Sequence, residues 1–308
     1  MQALYAIKKT YGHVFFVGDS STVDLSRVQQ LFGSQDGQLH YYDDLEECLN
    51  SGNVVADRRD VILVAPGHAE TVSSAGAIAL DIAGVSIVGL GEGTLLPTIT
   101  FDTATTATIA VSAANITLEN VIVTANFADI VAPFTLTTAK NFTLRNVYIK
   151  ATATNMNFLY VVDTNATTND AQGLTIEAGR WVEPDTATLS MVKMDGDNSD
   201  VNIKDNYVSL GVNNNKAALM AIATGKSAFN VDISGNKVYR LNTDTATGAI
   251  LVTTDQSDNS GFISNNQVQH ADTAAELLVT ASSGFGVFDN KASGVAGASG
   301  YVLPAIDS

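Results

Sequence analysis

The chain has 308 residues, 45% hydrophobic and 16% charged, with 16 lysines and arginines against 32 acids and a formal net charge of −16. That length and apolar content supply a sizeable core for one large or two modest domains and exclude a disordered chain. The acidic balance repels phosphate backbones and anionic lipid, setting aside nucleic-acid and membrane-surface roles, and a lone cysteine, Cys48, excludes a disulfide framework.

The opening Met1-Gln-Ala-Leu-Tyr-Ala-Ile-Lys-Lys places its bases after a short apolar run, so no secretory signal is expected. No apolar run approaches the ~18 residues of a membrane span. His13–Val17 reads as a short strand closed by the turn cluster Gly18-Asp19-Ser20-Ser21. Val23, Leu25, Val28, Leu31 and Phe32 then share one helical face, and Gly33 ends the run. A second short helix is predicted from Asp43 to Asn50, with acids in its first turn and Gly52 after it. Residues 1–60 therefore read as a small α/β cap or adaptor domain.

From residue 61 the rhythm changes. Short alternating runs recur between turns rich in Gly, Asn, Asp, Ser and Thr: Val61–Val64, Val85–Val88, Ile116–Leu118, Phe142–Leu144, Leu174–Ile176, Val201–Ile203, Phe229–Ile233, Phe262–Ile263 and Phe285–Val287. An asparagine follows several of them, at 120, 146, 206, 236, 266 and 290, and Gly179 stands where one member is skipped. A β-type repeat of this length means stacked coils, because two or three strands of three to five residues cannot bury their own apolar face. The recurring asparagine suits a left-handed backbone position and, stacked at ~4.8 Å, hydrogen-bonding from coil to coil. The expected fold is all-β: a parallel β-helix of about nine coils over 61–290, followed by a Gly/Ala-rich C-terminal tail, 291–308. Helix arrays fail on the β-branched, Gly- and Asn-interrupted runs.

Asp60-Val-Ile-Leu-Val-Ala-Pro-Gly-His68 followed by Leu80-Asp-Ile-Ala-Gly-Val-Ser-Ile-Val-Gly-Leu-Gly91 resembles the entry into the pectin-lyase-like right-handed parallel β-helix, with the 42–49 helix ahead of it. The resemblance covers residues ~42–290 and implies fold, since this solenoid serves polysaccharide lyases, glycoside hydrolases and bacteriophage virion proteins alike. The Thr/Ala/Asn-rich coils and the preceding module look most like phage structural proteins. That resemblance implies a non-enzymatic head decoration (cement) protein assembled in the host cytoplasm, bound to a major capsid or other virion protein and self-associated, with a trimer as one form. A tailspike with polysaccharide depolymerase activity is the alternative, and an adhesin a third class.

Enzymes of that superfamily carry Gly-His-Gly, Arg-Ile-Lys and paired-Asp motifs on the coils; here Gly67-His68-Ala69 departs, and Asp43-Asp44 lies in the predicted helix. No catalytic residue is assigned. Asp195, Asp197 and Asp200 form the densest acidic loop and are hard-oxygen ligands of the kind Ca²⁺ takes, weighed against a solvated turn. No other cofactor is implied. Asp163, Asp170 and Glu177 near Arg180, with Trp181 as a sugar platform, are a second candidate cleft. His13, His40, His68 and His270 share no metal spacing and read as turn or cap residues, Gly89-Leu-Gly91-Glu-Gly93 as a coil turn, and Cys48 as a buried capping thiol.

Overall fold

In the computed structural model, residues 12–19, 40–185, 187–211, 217–240, 249–270, 277–279, 283–294 and 299–301 are described. The helix predicted around Val23–Phe32 lies outside them. The rest is nearly all β: three long sheets of eleven, ten and eight strands. A short α-helix, α1 (Leu45–Asn50), is the one α-helix among the described residues.

The chain visits the three sheets in turn. The first coil places Val61–Val64 in the first sheet, Ala69–Val72 in the second and Ala75–Leu80 in the third. Each later coil lays its strands parallel and in register on those before, the other two sides of the coil acting as the crossover that parallel pairing requires. The result is a parallel β-solenoid. Eight coils are complete, the eighth being Gly261–Ser264, Gln267–His270 and Leu277–Val279. A ninth adds Gly286–Phe288 and Lys291–Gly294, so the expected nine become eight full coils and a partial one.

Alternation puts one face of every strand inside. In the first sheet Ile62, Ile87, Leu118, Leu144, Ile176, Ile203, Ile233 and Ile263 stack directly over one another, all nearly inaccessible. Ile99, Val123, Ile149, Trp181, Val208, Val238 and Val268 do the same in the second. Each such side chain contributes about 1.5–3 kcal/mol of burial, and no coil has it alone, because the flanking coils complete the covering.

Further elements lie beyond the coils at the N-terminal end and on the second sheet at the other. Val14–Val17 and Tyr41–Tyr42 extend the first sheet in parallel beyond the first coil, with Phe15 over Ile62. The side chain of Asp44 caps α1 by accepting from the Glu47 N–H at 2.6 Å, and Leu45, Cys48 and Leu49 turn inward, α1 packing on Ala75–Leu80. At the far end Ser299–Tyr301 pairs antiparallel with Lys291–Gly294. A reversed strand there closes an edge that would otherwise accept another parallel coil.

The corner between the first and second sheets holds two residues per coil, and the sequence merges their two roles. The first is left-handed: Asn120 (φ 61°), Asn146 (49°), Ala178 (53°), Asp205 (54°), Gly235 (69°), Asn265 (56°) and Asp289 (54°). The second points inward: Val121, Val147, then Gly179, Asn206, Asn236, Asn266 and Asn290. Asn120 and Asn146 thus occupy the left-handed site as expected, whereas the later asparagines follow it and are buried. The outer pair still forms a rung, Asn146 Nδ2 donating to Asn120 Oδ1 at 2.8 Å.

The inner four form a continuous ladder. Nδ2 of Asn206, Asn236 and Asn266 donates to Oδ1 of the next asparagine at 2.9–3.0 Å, and each of their backbone N–H groups donates to that same oxygen at 3.0 Å. Each Nδ2 also reaches back to a carbonyl of the coil before, as Asn236 does to Ile203 O at 2.8 Å. At Gly179 only the backbone rung remains, its N–H donating to Asn206 Oδ1 at 2.9 Å, because glycine has no amide to carry the ladder further. Asn236→Ala strands one amide and one N–H of Asn206 and the Ile203 carbonyl, and is expected to cost on the order of 3 kcal/mol. Chemical denaturation, compared with Asn230→Ala on the exposed corner, measures it.

Candidate functional site

Three places gather chemistry-bearing side chains: the acidic loop, the Trp181 region, and the outward side of the second sheet.

In the acidic loop each carboxylate has its own partner. Asp195 lies 2.6 Å from Lys193 Nζ, which also reaches Asp163 at 3.3 Å. Asp197 accepts the Ser227 N–H of the next coil at 2.8 Å. Asp200 is left-handed (φ 62°) and accepts from Asn230 at 2.7 Å, Ser199 at 2.9 Å and Gln172 at 3.2 Å. Those donors, Asn230 first, hold its carboxyl below the ordinary carboxylate range. Asp200 occupies the same corner as Asn115 and Asn141, which bond to each other at 2.8 Å, and as Asn230. A corner position three residues before each first-sheet core aliphatic was the signal available in the sequence. Among the described residues no group of three or more His, Cys, Asp or Glu is placed to hold a metal ion.

The second candidate cleft is dispersed. Glu177 faces out of the first sheet, paired with Arg145 at 2.6 Å, and Arg145 reaches on to Glu119 at 3.4 Å. Asp170 is buried and accepts the Thr138 N–H at 3.2 Å. Burial raises the Asp163 carboxyl, with Lys193 opposing the shift. Trp181 is a core residue, fully inaccessible between Ile149 and Val208, so it offers no sugar platform.

Beside it the sequence reading missed Glu183, which ends the strand Arg180–Glu183 facing inward at 0% exposure. Among the described residues neither carboxylate oxygen makes a well-formed hydrogen bond, though the Phe158 backbone and the Trp181 indole lie close to it. Burial pushes its carboxyl well above the ordinary 4.5, only partly opposed by the Phe158 backbone and the Trp181 indole. The folded chain therefore favours the protonated acid, while the unfolded chain ionises above about pH 4.5. Stability from this group is intact below that pH and is lost as pH rises toward the folded value. Glu183→Gln removes the dependence: its Tm advantage over the parent should grow from pH 5 to pH 8, as read by thermal melts across that range.

At the N-terminal end, His68 and Glu70 form a buried pair, Nε2 to Oε1 at 2.9 Å, and the same oxygen accepts the Leu45 N–H at 2.7 Å. Glu70 is the first member of the second sheet's inward column, in register with Ile99. A cleft of about 420 Å³ opens beside it, rimmed by Asp19, Asp43, Asp44 and Glu46. His13 and His40 stack at 5.7 Å near the first strand, and His270 lies in Gln267–His270. Cys48 is buried in α1, and burial first, then the acids around it, raise its thiol to about 12. A thiol so placed should stay unlabelled by iodoacetamide in the native protein at pH 8 and react fully in denaturant.

The outward side of the second sheet differs from the rest of the molecule. Its strands from the fourth coil on present Tyr148 and Lys150, Arg180, Tyr207, Lys237 and Tyr239, Gln267 and Gln269, then Lys291. The Arg180 guanidinium lies between the Tyr148 and Tyr207 rings, 5.1 and 5.3 Å from their centroids, and Lys150 covers Tyr148 at 5.6 Å. A groove of about 470 Å³ follows, lined by Tyr207, Lys237, Tyr239, Gln269 and Lys291. These cations are scattered in the sequence, Lys150, Arg180, Lys237 and Lys291 lying 30, 57 and 54 residues apart, and only strand register brings them together. No helix among the described residues is long and apolar enough to cross a membrane. No family model, no curated protein and no solved structure matches this chain.

Proposed function

We propose that the protein is a non-enzymatic structural protein of a phage particle, a head decoration protein that docks on the capsid surface through a major capsid or other virion protein. What supports this reading is the way its carboxylates are used. Glycosidic chemistry asks for two opposed carboxyl groups about 5–9.5 Å apart, one kept protonated and one ionised. The candidate acids instead tie coil to coil: Glu177 and Glu119 share Arg145, Asp163 and Asp195 share Lys193, and Asp197 and Asp200 accept donors from the following coil. Eight stacked coils, on the order of 38 Å of rigid body at ~4.8 Å per coil, suit a surface that binds without reacting. The phage assignment itself rests on the likeness of the Thr/Ala/Asn-rich coils and of the module ahead of them to phage structural proteins.

Mass spectrometry of purified virions from a phage encoding the chain tests the proposal. The expected result is the full chain at a copy number comparable to the capsid protein. Its absence from particles overturns the reading. New reducing ends or unsaturated uronate, released when the protein is incubated with host surface polysaccharide, would replace it with the depolymerase.

A further inference from the structure

We infer that two copies of this chain associate antiparallel, face to face, through the outward side of the second sheet, the cationic tyrosine groove of each meeting the acidic cleft of the other. This inference is independent of where the protein works.

The face is polarised along the solenoid axis. Its cleft end, at the first coil, carries Asp43, Asp44 and Glu46, all exposed. The middle is uncharged: Thr98 and Thr100 are half-buried, and Ile122 and Thr124 are buried. From the fourth coil onward come Lys150, Arg180, Lys237 and Lys291, and no described strand of this sheet turns an acid outward, since Glu70 and Glu183 point in. In a chain of net charge −16, a cationic stretch of this length is the exception.

The chemistry of the groove selects carboxylates on a protein over a sugar polymer. Stacking a pyranose needs a free ring face; Arg180 takes one face each of Tyr148 and Tyr207, with Lys150 also over Tyr148, which leaves Tyr239 and the groove side of Tyr207. What points outward is a set of donors: guanidinium edge, ammonium groups, tyrosine hydroxyls and glutamine amides. The ammonium groups of Lys237 and Lys291, with the tyrosine hydroxyls and glutamine amides beside them, form a set that binds carboxylates.

Geometry then selects the pairing. Two identical faces related by a dyad along the solenoid axis would oppose coil n to coil n, acids to acids. A dyad perpendicular to the axis reverses one copy. Centred near the fourth coil, it lays Lys237 and Lys291 of each copy over the cleft of its mate. These two charge-complementary contacts outweigh the approach of the two Lys150 side chains at the dyad. Seven coils at ~4.8 Å by four residues at ~3.3 Å give a footprint of about 34 by 13 Å on each copy. The total, on the order of 900 Å², belongs to the weak, salt-sensitive class of interfaces.

Sedimentation velocity of the full chain at about 0.05 M and about 0.5 M NaCl reads the association; dissociation constants should weaken at least about tenfold at the higher salt. Lys237→Glu with Lys291→Glu should abolish the dimer, as should Asp43→Lys with Glu46→Lys. Mixing the two double variants should restore a heterodimer, and circular dichroism confirms that each is folded. Zero-length carbodiimide crosslinking of mixed ¹⁴N- and ¹⁵N-labelled chains should join Lys237 or Lys291 of one copy to Asp43, Asp44 or Glu46 of another. A monomer at low salt, a dimer indifferent to the charge reversals, or intermolecular crosslinks elsewhere would overturn the inference. So would a chain that captures poly-glutamate or an anionic polysaccharide yet never pairs with itself.

Discussion

A stack of parallel coils has corners, and at each corner the backbone leaves polar groups that only the neighbouring coil can reach. The inward asparagine ladder answers that constraint. Each amide touches the coil before and the coil after it, so Asn206, Asn236 and Asn266 each join three consecutive coils. A buried polar group left single costs about 1–3 kcal/mol, and a fully bonded one fixes register. The aliphatic columns give the core its mass, but columns of isoleucine and valine can slide. The amides cannot shift by one residue without losing their partners.

The same logic governs the charges. Arg145 and Lys193 each hold two acids from different strands, and Asp200 stands in a corner row with Asn230 above it. Such exposed pairs contribute little individually; their effect is to align like positions in successive coils. Where the described strands of a column turn no acid outward, as on the second sheet, Lys150 and Arg180 order themselves on tyrosine rings instead. A strongly acidic protein thereby acquires a concentrated positive strip without altering its net charge.

Much of this fold is legible in the chain. The three-residue motif of an aliphatic flanked by Thr, Asn or a charge recurs in the third to sixth coils, and Gly179 stands where the inward asparagine is missing. The coil count and the role of α1 as a lid are equally readable. Other features depend on register, which periodicity leaves open by one residue. Asn120 and Asn206 look alike in sequence, yet one sits at the left-handed corner and the other lies beneath it. Trp181 and Arg180 read as neighbours in a cleft, but adjacent strand residues face opposite ways, one into the core and one into solvent. Glu183 gave no signal, because nothing in a lone glutamate says that it alternates inward.

The ladder also dictates in what increments such a molecule can change size. Asn206, Asn236 and Asn266 are each 30 residues apart, and Lys237 stands over Tyr207 just as Gln267 stands over Lys237. Excising residues 207–236 would splice Asn206 directly onto Lys237 with every donor and acceptor of the corner still in place. Lengthening or shortening at this corner is therefore quantised: whole turns can be gained or lost like leaves in a folded screen, whereas deleting one residue between Ile203 and Val208 would put the first and second sheets out of step.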